Sequence, residues 1–259
     1  MVCYLSFCFK RVTQMLSPFF SISGVGNINS AAFITSTGVL RNVLPNASSV
    51  YGGAMLTIIG NGFARNASDI QVMIGPNPCP VTRATADTVQ CVVPAQGNSS
   101  DRAPVVIRSN DYTFPATFSL SYEVSLTPNI NFVNWTADSG SIAFSITGSN
   151  FVIGNTSVTV GESLCAINSM SSILITCSIS AHQPAGHHSI VVNVNPIGKS
   201  NSNNTYTHDL LVTSVLPNEG SYGGGLPVTV TGDGFNGSNI TVNICNRSCT
   251  SGRGNFPPA

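Results

Sequence analysis

Short runs of alternating apolar and polar residues follow one another along most of this chain. The segments Ile142–Ile146 (I-A-F-S-I), Ile190–Val194 (I-V-V-N-V) and Ile240–Ile244 (I-T-V-N-I) place an apolar side chain at every second position. A period of two is typical of β-strands that bury one face and expose the other. Glycine, proline, asparagine and serine separate the runs, and the alanine-, glutamate- and lysine-rich stretches that favour helices are missing. The pattern therefore predicts an all-β protein.

One longer pattern occurs three times. Val43–Phe63 reads V-L-P-N-A-S-S-V-Y-G-G-A-M-L-T-I-I-G-N-G-F, Val215–Phe235 repeats it closely, and Leu126–Phe151 is a weaker copy. We align the copies on three prolines, three phenylalanines and three cysteines: Pro45, Pro128 and Pro217; Phe63, Phe151 and Phe235; Cys79, Cys165 and Cys249. The copies are about 85 residues apart, which is too long for a solenoid unit and suits a small domain.

The strands predicted within each copy follow the same order. In the first copy they are Leu56–Ile59, Ile70–Ile74, Val89–Val93, Val105–Arg108 and Thr117–Tyr122. In the second they are Ile142–Thr147, Ser157–Val160, Ile173–Ser178, Ile190–Val194 and Asn204–Val212. About seven short antiparallel strands in a domain of this size indicate a β-sandwich. We expect the phenylalanine that ends the repeated pattern in each copy to fill a core.

The repeats divide the chain into five segments. These are an unassigned segment (1–30), the last strand of a preceding domain (31–41), two whole domains (42–123 and 124–213) and a partial domain (214–259). The predicted linkers are only a few residues long, so we expect neighbouring domains to be stacked semi-rigidly. We also expect the chain to be a segment of a longer ectodomain.

Two pairs of cysteines occupy matching places in the first two copies. Cys79 and Cys91 are separated by the same twelve positions as Cys165 and Cys177. We predict a disulfide within each pair, since a zinc site would need four ligands per domain. The partner of Cys249 would fall beyond the end of the chain, unless Cys249 pairs with the extra Cys245. The partners of Cys3 and Cys8 stay open.

Charge gives no indication of a nucleic-acid or membrane partner. Ten basic and ten acidic residues balance, and charged residues make up only 8% of the chain. A basic face for nucleic acid is therefore not expected. No apolar run is long enough to span a membrane, so any membrane attachment is expected outside this chain. At the start, Lys10 and Arg11 follow an apolar run, the reverse of the order in a signal peptide.

Nine asparagines stand in N-x-S/T sequons, which are acceptors for N-linked glycans in the secretory pathway. They are Asn46, Asn66, Asn98, Asn134, Asn155, Asn203, Asn236, Asn239 and Asn246. Their number favours an extracellular or cell-surface protein whose weakly charged surface is kept soluble by glycans.

Three other patterns suggest chemistry and have a structural explanation. Gly232–Gly237 (G-D-G-F-N-G) matches a dinucleotide-binding fingerprint, but a strand follows where the fingerprint needs a helix. His187 and His188 are adjacent on a predicted strand and point to opposite faces, so they cannot chelate one metal together. Acidic residues are scattered without pairing. We therefore predict no catalytic residue, no metal site, no cofactor and no enzyme activity.

The repeated motif, followed by V-x-V-G-x-x-x-C, resembles the IPT/TIG domain over roughly residues 42–259. The resemblance implies an immunoglobulin-like sandwich of the E-set type. Extracellular members carry paired cysteines, whereas transcription-factor members carry basic DNA-contacting loops that this chain lacks. The G-N-G-F and G-D-G-F endings, the tandem run and the sequon density look most like the fibrocystin group of large single-span receptors.

These observations predict a non-enzymatic extracellular fragment of a cell-surface receptor or adhesion protein. Its stacked domains would present or space a surface that binds a protein or glycan ligand. The alternatives are a plexin-type receptor segment, an accessory sandwich of a secreted carbohydrate-active enzyme and, least favoured by the charge, a DNA-binding module.

Overall fold

The computed structural model describes residues 19–22, 26–29, 38–110, 112–138, 140–235, 241–244 and 247–249. These residues form β-strands joined by turns, with a single short 3-10 helix at Ala67–Asp69, so the all-β prediction is confirmed. A hairpin of β1 (Phe19–Ile22) and β2 (Gly26–Asn29) precedes three repeated units. Within the described residues, no helix has the length and apolar character needed to cross a membrane.

The first unit is a sandwich of two sheets. Its strands are β3 (Val39–Leu44), β4 (Ala47–Ser48), β5 (Met55–Asn61), β6 (Ile70–Ile74), β7 (Asn77–Cys79), β8 (Val81–Ala84), β9 (Thr88–Val92), β10 (Ser100–Ser109), β11 (Tyr112–Thr113) and β12 (Ser119–Tyr122). One sheet has the order β3-β5-β9-β8, and the other has the order β4-β12-β10-β6-β7 with β11 on β10. Alternate residues of both sheets, such as Leu56, Ile74 and Ile107, are fully buried between them.

The second unit repeats this architecture. Its strands are β13 (Asn129–Ala137), β14 (Ser141–Ser149), β15 (Thr156–Val160), β16 (Ser163–Met170), β17 (Leu174–Ser180), β18 (Gly186–Val194), β19 (Gly198–Lys199) and β20 (Thr205–His208). They form one continuous path, β13-β14-β17-β16-β15-β18-β19, with β20 on β18. The path is continuous because β16 pairs with β17 in one layer and with β15 in the other.

The strand that passes from one layer to the other is β16 in the second unit, and it is divided into β7 and β8 in the first. A single residue explains this difference. In the first unit Pro80 separates β7 from β8, and proline has no N–H to donate to a ladder. Ala166 stands at the same place in the second unit, directly after Cys165, and β16 runs through it. Both cysteine pairs are bonded at this crossing, Cys79 to Cys91 and Cys165 to Cys177, with Cα atoms 5.5 Å apart in each.

The third unit is represented by two hairpins. They are β21 (Leu211–Leu216) with β22 (Thr229–Asp233), and β23 (Asn243–Ile244) with β24 (Arg247–Ser248). Positions that are buried in the complete sandwiches are exposed here: Leu226 is 46% exposed, whereas its counterpart Ala54 is 2% exposed. Cys249 is exposed and has no disulfide partner among the described residues.

Each predicted strand of the first two copies overlaps an observed strand, but the domain edges differ from those drawn on the sequence. Residues 39–41 lie in β3, which pairs with β5 inside the first unit instead of ending a preceding domain. The predicted strand Asn204–Val212 ends at His208, and residues 211–213 open the third unit as part of β21. Most of the two predicted end segments, at 1–30 and 31–41, lies outside the described residues.

The alignment of Pro128 with Pro45 and Pro217 was wrong. Strand pairing places Val43 opposite Ile58 and Val133 opposite Ile146, so the residue that replaces Pro45 in the second unit is Trp135. Pro45 ends β3, and the chain crosses to the other sheet as β4, which pairs in parallel with β12. Without that proline, β13 continues beside β14 for nine residues, and Trp135 packs edge-on against Tyr206 at 5.0 Å.

The sequence G-x-G/N-F forms the same turn in all three units. A Cβ on Gly60, Gly148 or Gly232 would overlap the carbonyl oxygen of the facing first strand. The ring of Phe63, Phe151 or Phe235 packs on the same glycine of its unit. The third position has a positive φ in every case: 81° at Gly62, 61° at Asn150 and 84° at Gly234. The motif is therefore a turn between strands, which only glycine or asparagine accommodates well.

The three phenylalanines have different burial. Phe63 and Phe151 are 5% and 4% exposed and belong to the two cores. Phe235 is half-buried among the described residues of the third unit.

Replacement of Gly148 by alanine should destabilise the second unit by roughly 2–4 kcal/mol, because the methyl group must displace a backbone carbonyl and the Phe151 ring. Gly140→Ala is the matched control, since its Cβ meets nothing within 4 Å, and it should change stability by less than about 0.5 kcal/mol. Trp135 is the only tryptophan, so its fluorescence during urea unfolding reports on this unit. Equal unfolding midpoints for the two variants would contradict the close-approach explanation.

Replacement of Cys165 and Cys177 together by alanine should lower the stability of the second unit by about 3 kcal/mol, because the unfolded chain loses a closed loop. The same fluorescence measurement applies. A double replacement of Cys79 and Cys91 is the control, and it should leave the Trp135 transition nearly unchanged because it acts in the other core.

Candidate functional site: the domain junctions

A tight turn in the first unit, Ser49–Gly53, is shaped by two glycines. Gly52 and Gly53 have φ values of 64° and 85°, and the Gly52 N–H donates to the Ser49 carbonyl at 2.9 Å. A Cβ on Gly52 would overlap the backbone of Val93 and Pro94 in its own unit. A side chain is thus excluded at Gly52, and the Gly52-Gly53 part of the turn presents bare backbone at the surface of the first unit.

The hairpin that leaves β18 of the second unit binds this turn through four hydrogen bonds. The Ser49 N–H donates to the Ile197 carbonyl at 2.7 Å, and the Lys199 N–H donates to the Gly52 carbonyl at 2.8 Å. Two hydroxyl groups add to these bonds: Ser48 Oγ donates to the Ile197 carbonyl at 3.0 Å, and Ser49 Oγ donates to the Lys199 carbonyl at 2.6 Å. Ser48 and Ser49 are fully buried, so this contact is closed to solvent.

Gly198 makes the close approach between the two units possible. Its φ is 118°, and a Cβ at this position would overlap the Gly52 carbonyl. On the other side of the turn, a Cβ on Gly53 would lie 2.9 Å from Cγ of Lys199. Gly52 and Gly198 therefore pack backbone against backbone, and Gly53 leaves room for the side chain of Lys199.

The linker between the two units is held by side chains from both of them. Thr127 accepts a hydrogen bond from the Val50 N–H at 3.1 Å and donates its hydroxyl to the Glu123 carbonyl at 2.7 Å. The Asn150 side-chain amide donates to the Ser125 and Thr127 carbonyls, each at 2.9 Å. Asn150 is the third residue of the G-x-G/N-F turn, so the turn of the second unit also clamps the linker.

The last strand of the first unit leads into this junction through Tyr122. Its side chain is fully buried, and its hydroxyl donates to the Pro94 carbonyl at 3.1 Å. Burial raises the pKa of Tyr122 to about 12, so the proton needed for this bond is retained at physiological pH. The next residue, Glu123, donates its N–H to the Ser48 carbonyl at 2.9 Å.

The junction between the second and third units uses fewer backbone contacts. The Ala185 N–H donates to the Gly234 carbonyl at 3.0 Å. His208 lies between Tyr206, whose hydroxyl is 2.7 Å from Nδ1, and Asp233, whose carboxylate is 3.3 Å from Nε2. Burial, followed by the carboxylates of Asp233 and Asp209, raises the pKa of Tyr206. The second unit lacks the glycine turn, so it cannot present the surface that the first unit offers to its neighbour.

The residues that suggested other chemistry have structural partners. His187 Nδ1 lies 2.9 Å from the Thr207 hydroxyl, and His188 Nε2 lies 2.7 Å from the Pro184 carbonyl. In the described parts of the chain, no three His, Cys, Asp or Glu side chains gather as metal ligands would. Gly232 lies near the end of β22, and Gly234 lies in the turn that follows it.

Six of the nine sequon asparagines lie in the described residues, and all six are exposed: Asn46, Asn66, Asn98, Asn134, Asn155 and Asn203. Asn134 Oδ1 accepts a hydrogen bond from the Trp135 N–H at 2.9 Å, a bond that does not use Nδ2, the atom that carries a glycan. Asn236, Asn239 and Asn246 lie outside the described residues.

Sequence reasoning predicted close domain stacking but did not identify the residues that produce it. The available indications were Gly52-Gly53 in the first copy and Asn195-Pro196-Ile197-Gly198 in the second, which both read as turns. A turn motif shows that the chain reverses, but it does not show what packs against it.

Comparison with known proteins places the repeats in a family. The sequence profile of the IPT/TIG domain matches residues 39–122, 128–208 and 210–255. Fibrocystin-L from Mus musculus is 30% identical over 216 residues, which is 83% of this chain and 5% of fibrocystin-L. Human fibrocystin-L (Homo sapiens) is 30% identical over 209 residues, 80% of the chain and 5% of its own length.

Two further matches are to a fibrocystin and to a solved plexin. Fibrocystin from Canis lupus familiaris is 25% identical over 225 residues, covering 86% of this chain and 5% of that protein. The solved plexin A4 extracellular region aligns at 17% identity and a TM-score of 0.44, covering 88% of this chain and 21% of that one. The chain thus spans 5% of the length of each of these curated relatives. The expected resemblance to IPT/TIG domains and to the fibrocystins is confirmed, and the chain belongs to the IPT/TIG domain family.

Proposed function

We propose that this chain is a non-enzymatic extracellular segment of a cell-surface receptor or adhesion protein. Its IPT/TIG units hold and space a surface that binds a protein or glycan ligand. The proposal includes no nucleic-acid partner, and membrane attachment is assigned to sequence outside this chain. The first junction is the single observation that carries the proposal, because it makes two domains into one oriented body.

The contacts at the first junction support a spacing role for a physical reason. Interfaces between domains of one chain are often polar and permit relative motion. Here four hydrogen bonds join the Ser48–Gly53 and Ile197–Lys199 backbones or their hydroxyls, and Thr127 and Asn150 fix the linker as well. Rotation about the linker would break these buried bonds together, and each unsatisfied buried polar group costs about 1–3 kcal/mol.

The surface and the cysteines support an extracellular location. Disulfides persist in oxidising compartments, and each of the first two units has one buried disulfide across its layers. The six described sequon asparagines are exposed, three in each complete unit, as attachment of an oligosaccharide requires. Similarity to fibrocystin-L over most of the chain agrees with this location.

The Gly198→Ala variant tests the spacing role. Its methyl group would overlap the Gly52 carbonyl, so we expect the hairpin to detach and the first two units to reorient independently. NMR relaxation of backbone amides should show one common rotational correlation time in the natural protein and shorter, separate times in the variant. Small-angle scattering should show a broader distribution of distances.

Gly186→Ala is the matched control for this experiment. Gly186 also has a positive φ, 136°, but its Cβ would meet nothing within 4 Å, and it begins β18, at the opposite end of that strand from the hairpin. Its variant should tumble as the natural protein does. Independent tumbling of the two units in the natural protein itself would remove the basis of the proposal.

Expression with a secretion leader in mammalian cells tests the extracellular assignment. We expect a product whose mass falls on treatment with an endoglycosidase, with glycans on Asn46, Asn66, Asn98, Asn134, Asn155 or Asn203. Non-reducing peptide maps should join Cys79 to Cys91 and Cys165 to Cys177. A secreted product without glycans, or with disulfides between the two units, would argue against this location.

A further inference from the structure

The third unit contains a second copy of the turn that joins the first two units. In the first unit the Tyr51 N–H donates to Ser49 Oγ at 3.1 Å, and the Gly52 N–H donates to the Ser49 carbonyl at 2.9 Å. In the third unit the Gly223 N–H donates to Ser221 Oγ at 3.2 Å, and the Gly224 N–H donates to the Ser221 carbonyl at 3.0 Å. The hydrogen-bond pattern is the same at each step.

Backbone angles and strand register agree with this equivalence. Gly224 and Gly225 have φ values of 72° and 79°, close to the 64° and 85° of Gly52 and Gly53. Thr57 pairs with Leu44 and Thr229 pairs with Leu216, so both turns lie the same distance before the paired strand. In this register Tyr222 corresponds to Val50.

The two turns differ in what the neighbouring unit places against them. At Gly53 the stem of Lys199 lies against the Cβ position, whereas a Cβ on its counterpart Gly225 would meet nothing within 4 Å. Ser221 and both glycines are exposed, and so is Tyr222. The donors and acceptors that the hairpin uses in the first unit, the Ser49 N–H and hydroxyl and the Gly52 carbonyl, have counterparts in Ser221 and Gly224.

We propose that the Ser221–Gly225 turn is a docking site for the hairpin before the last strand of a following IPT/TIG domain. The expected partner has the form Asn-Pro-x-Gly, like Asn195–Gly198, with glycine at the point of closest approach. The occupant follows from the chain's own first junction, where a hairpin of this form binds the same backbone conformation. This inference extends the proposed spacing role to the third unit and names the partner it needs.

A cyclic peptide with the sequence of residues 193–201 (N-V-N-P-I-G-K-S-N) is the probe. Added to the complete, isotope-labelled chain at up to millimolar concentration, it should shift the amide resonances of Ser221, Gly223, Gly224 and Gly225. The same peptide with valine in place of its glycine should cause no shift, because the side chain would meet the Gly224 carbonyl.

Two variants of the chain sharpen the test. Gly225→Ala places a methyl group where Lys199 lies in the first junction, and it should abolish the shifts. Gly220 occupies the place of Ser48, so Gly220→Ser restores the hydroxyl that donates to the Ile197 carbonyl and should tighten binding about two- to tenfold. Absence of shifts at Ser221–Gly225 with both the natural chain and Gly220→Ser would overturn the docking site.

The outcome of the peptide titration is independent of the Gly198→Ala experiment that tests the spacing role. Gly198→Ala probes motion between the first two units, whereas the peptide probes only the third-unit turn. A rigid first junction together with a turn that binds no hairpin would leave the spacing role and remove this inference. Peptide shifts at Ser49–Gly53 without shifts at Ser221–Gly225 would also remove it.

Discussion

Close approach of two backbones at positions without a Cβ is the constraint on which this structure depends. Inside each unit, Gly60, Gly148 or Gly232 lets the carbonyl of the first strand lie against the second. Between units, Gly52 and Gly198 let the backbone of the Ser49–Gly53 turn lie against the backbone of the hairpin. Contacts of this kind are directional, because a hydrogen bond fixes angle as well as distance. The same residue type therefore determines both the shape of the sandwich and the orientation of its neighbour.

The second unit shows how one substitution changes the relation between domains. Where the other two units have Pro45 and Pro217, it has Trp135, and its first strand stays in one sheet. The strand that would cross to the other layer is missing, and so is the glycine turn that follows it. Trp135 fills the space by packing on Tyr206. The junction with the third unit then relies on the Ala185–Gly234 bond and on His208 with Asp233.

An array with two kinds of junction has consequences for the proposed spacing role. The first junction is held by buried backbone bonds, while the second includes a contact between side chains, with Asp233 42% exposed. Contacts of that kind are weaker and more easily rearranged. Bending in such a segment would concentrate at the second junction, and the first two units would move as one body.

The sequence by itself determined the fold class, the repeat, five of the strands in each complete copy and the partners of both cysteine pairs. Each follows from local rules: alternation along a strand, glycine at positive φ, and matched spacing of Cys79–Cys91 and Cys165–Cys177. Such rules do not determine which residues of the first strand correspond between units. Pro128 resembles Pro45 in the sequence, and only strand pairing shows that Trp135 takes the place of Pro45. Tertiary structure alone decided that Gly52 and Gly198, about 146 positions apart, meet across a domain boundary. The sequence near either glycine does not identify that contact, because the Ser49–Ile197 and Lys199–Gly52 bonds are made by backbone groups that every residue carries.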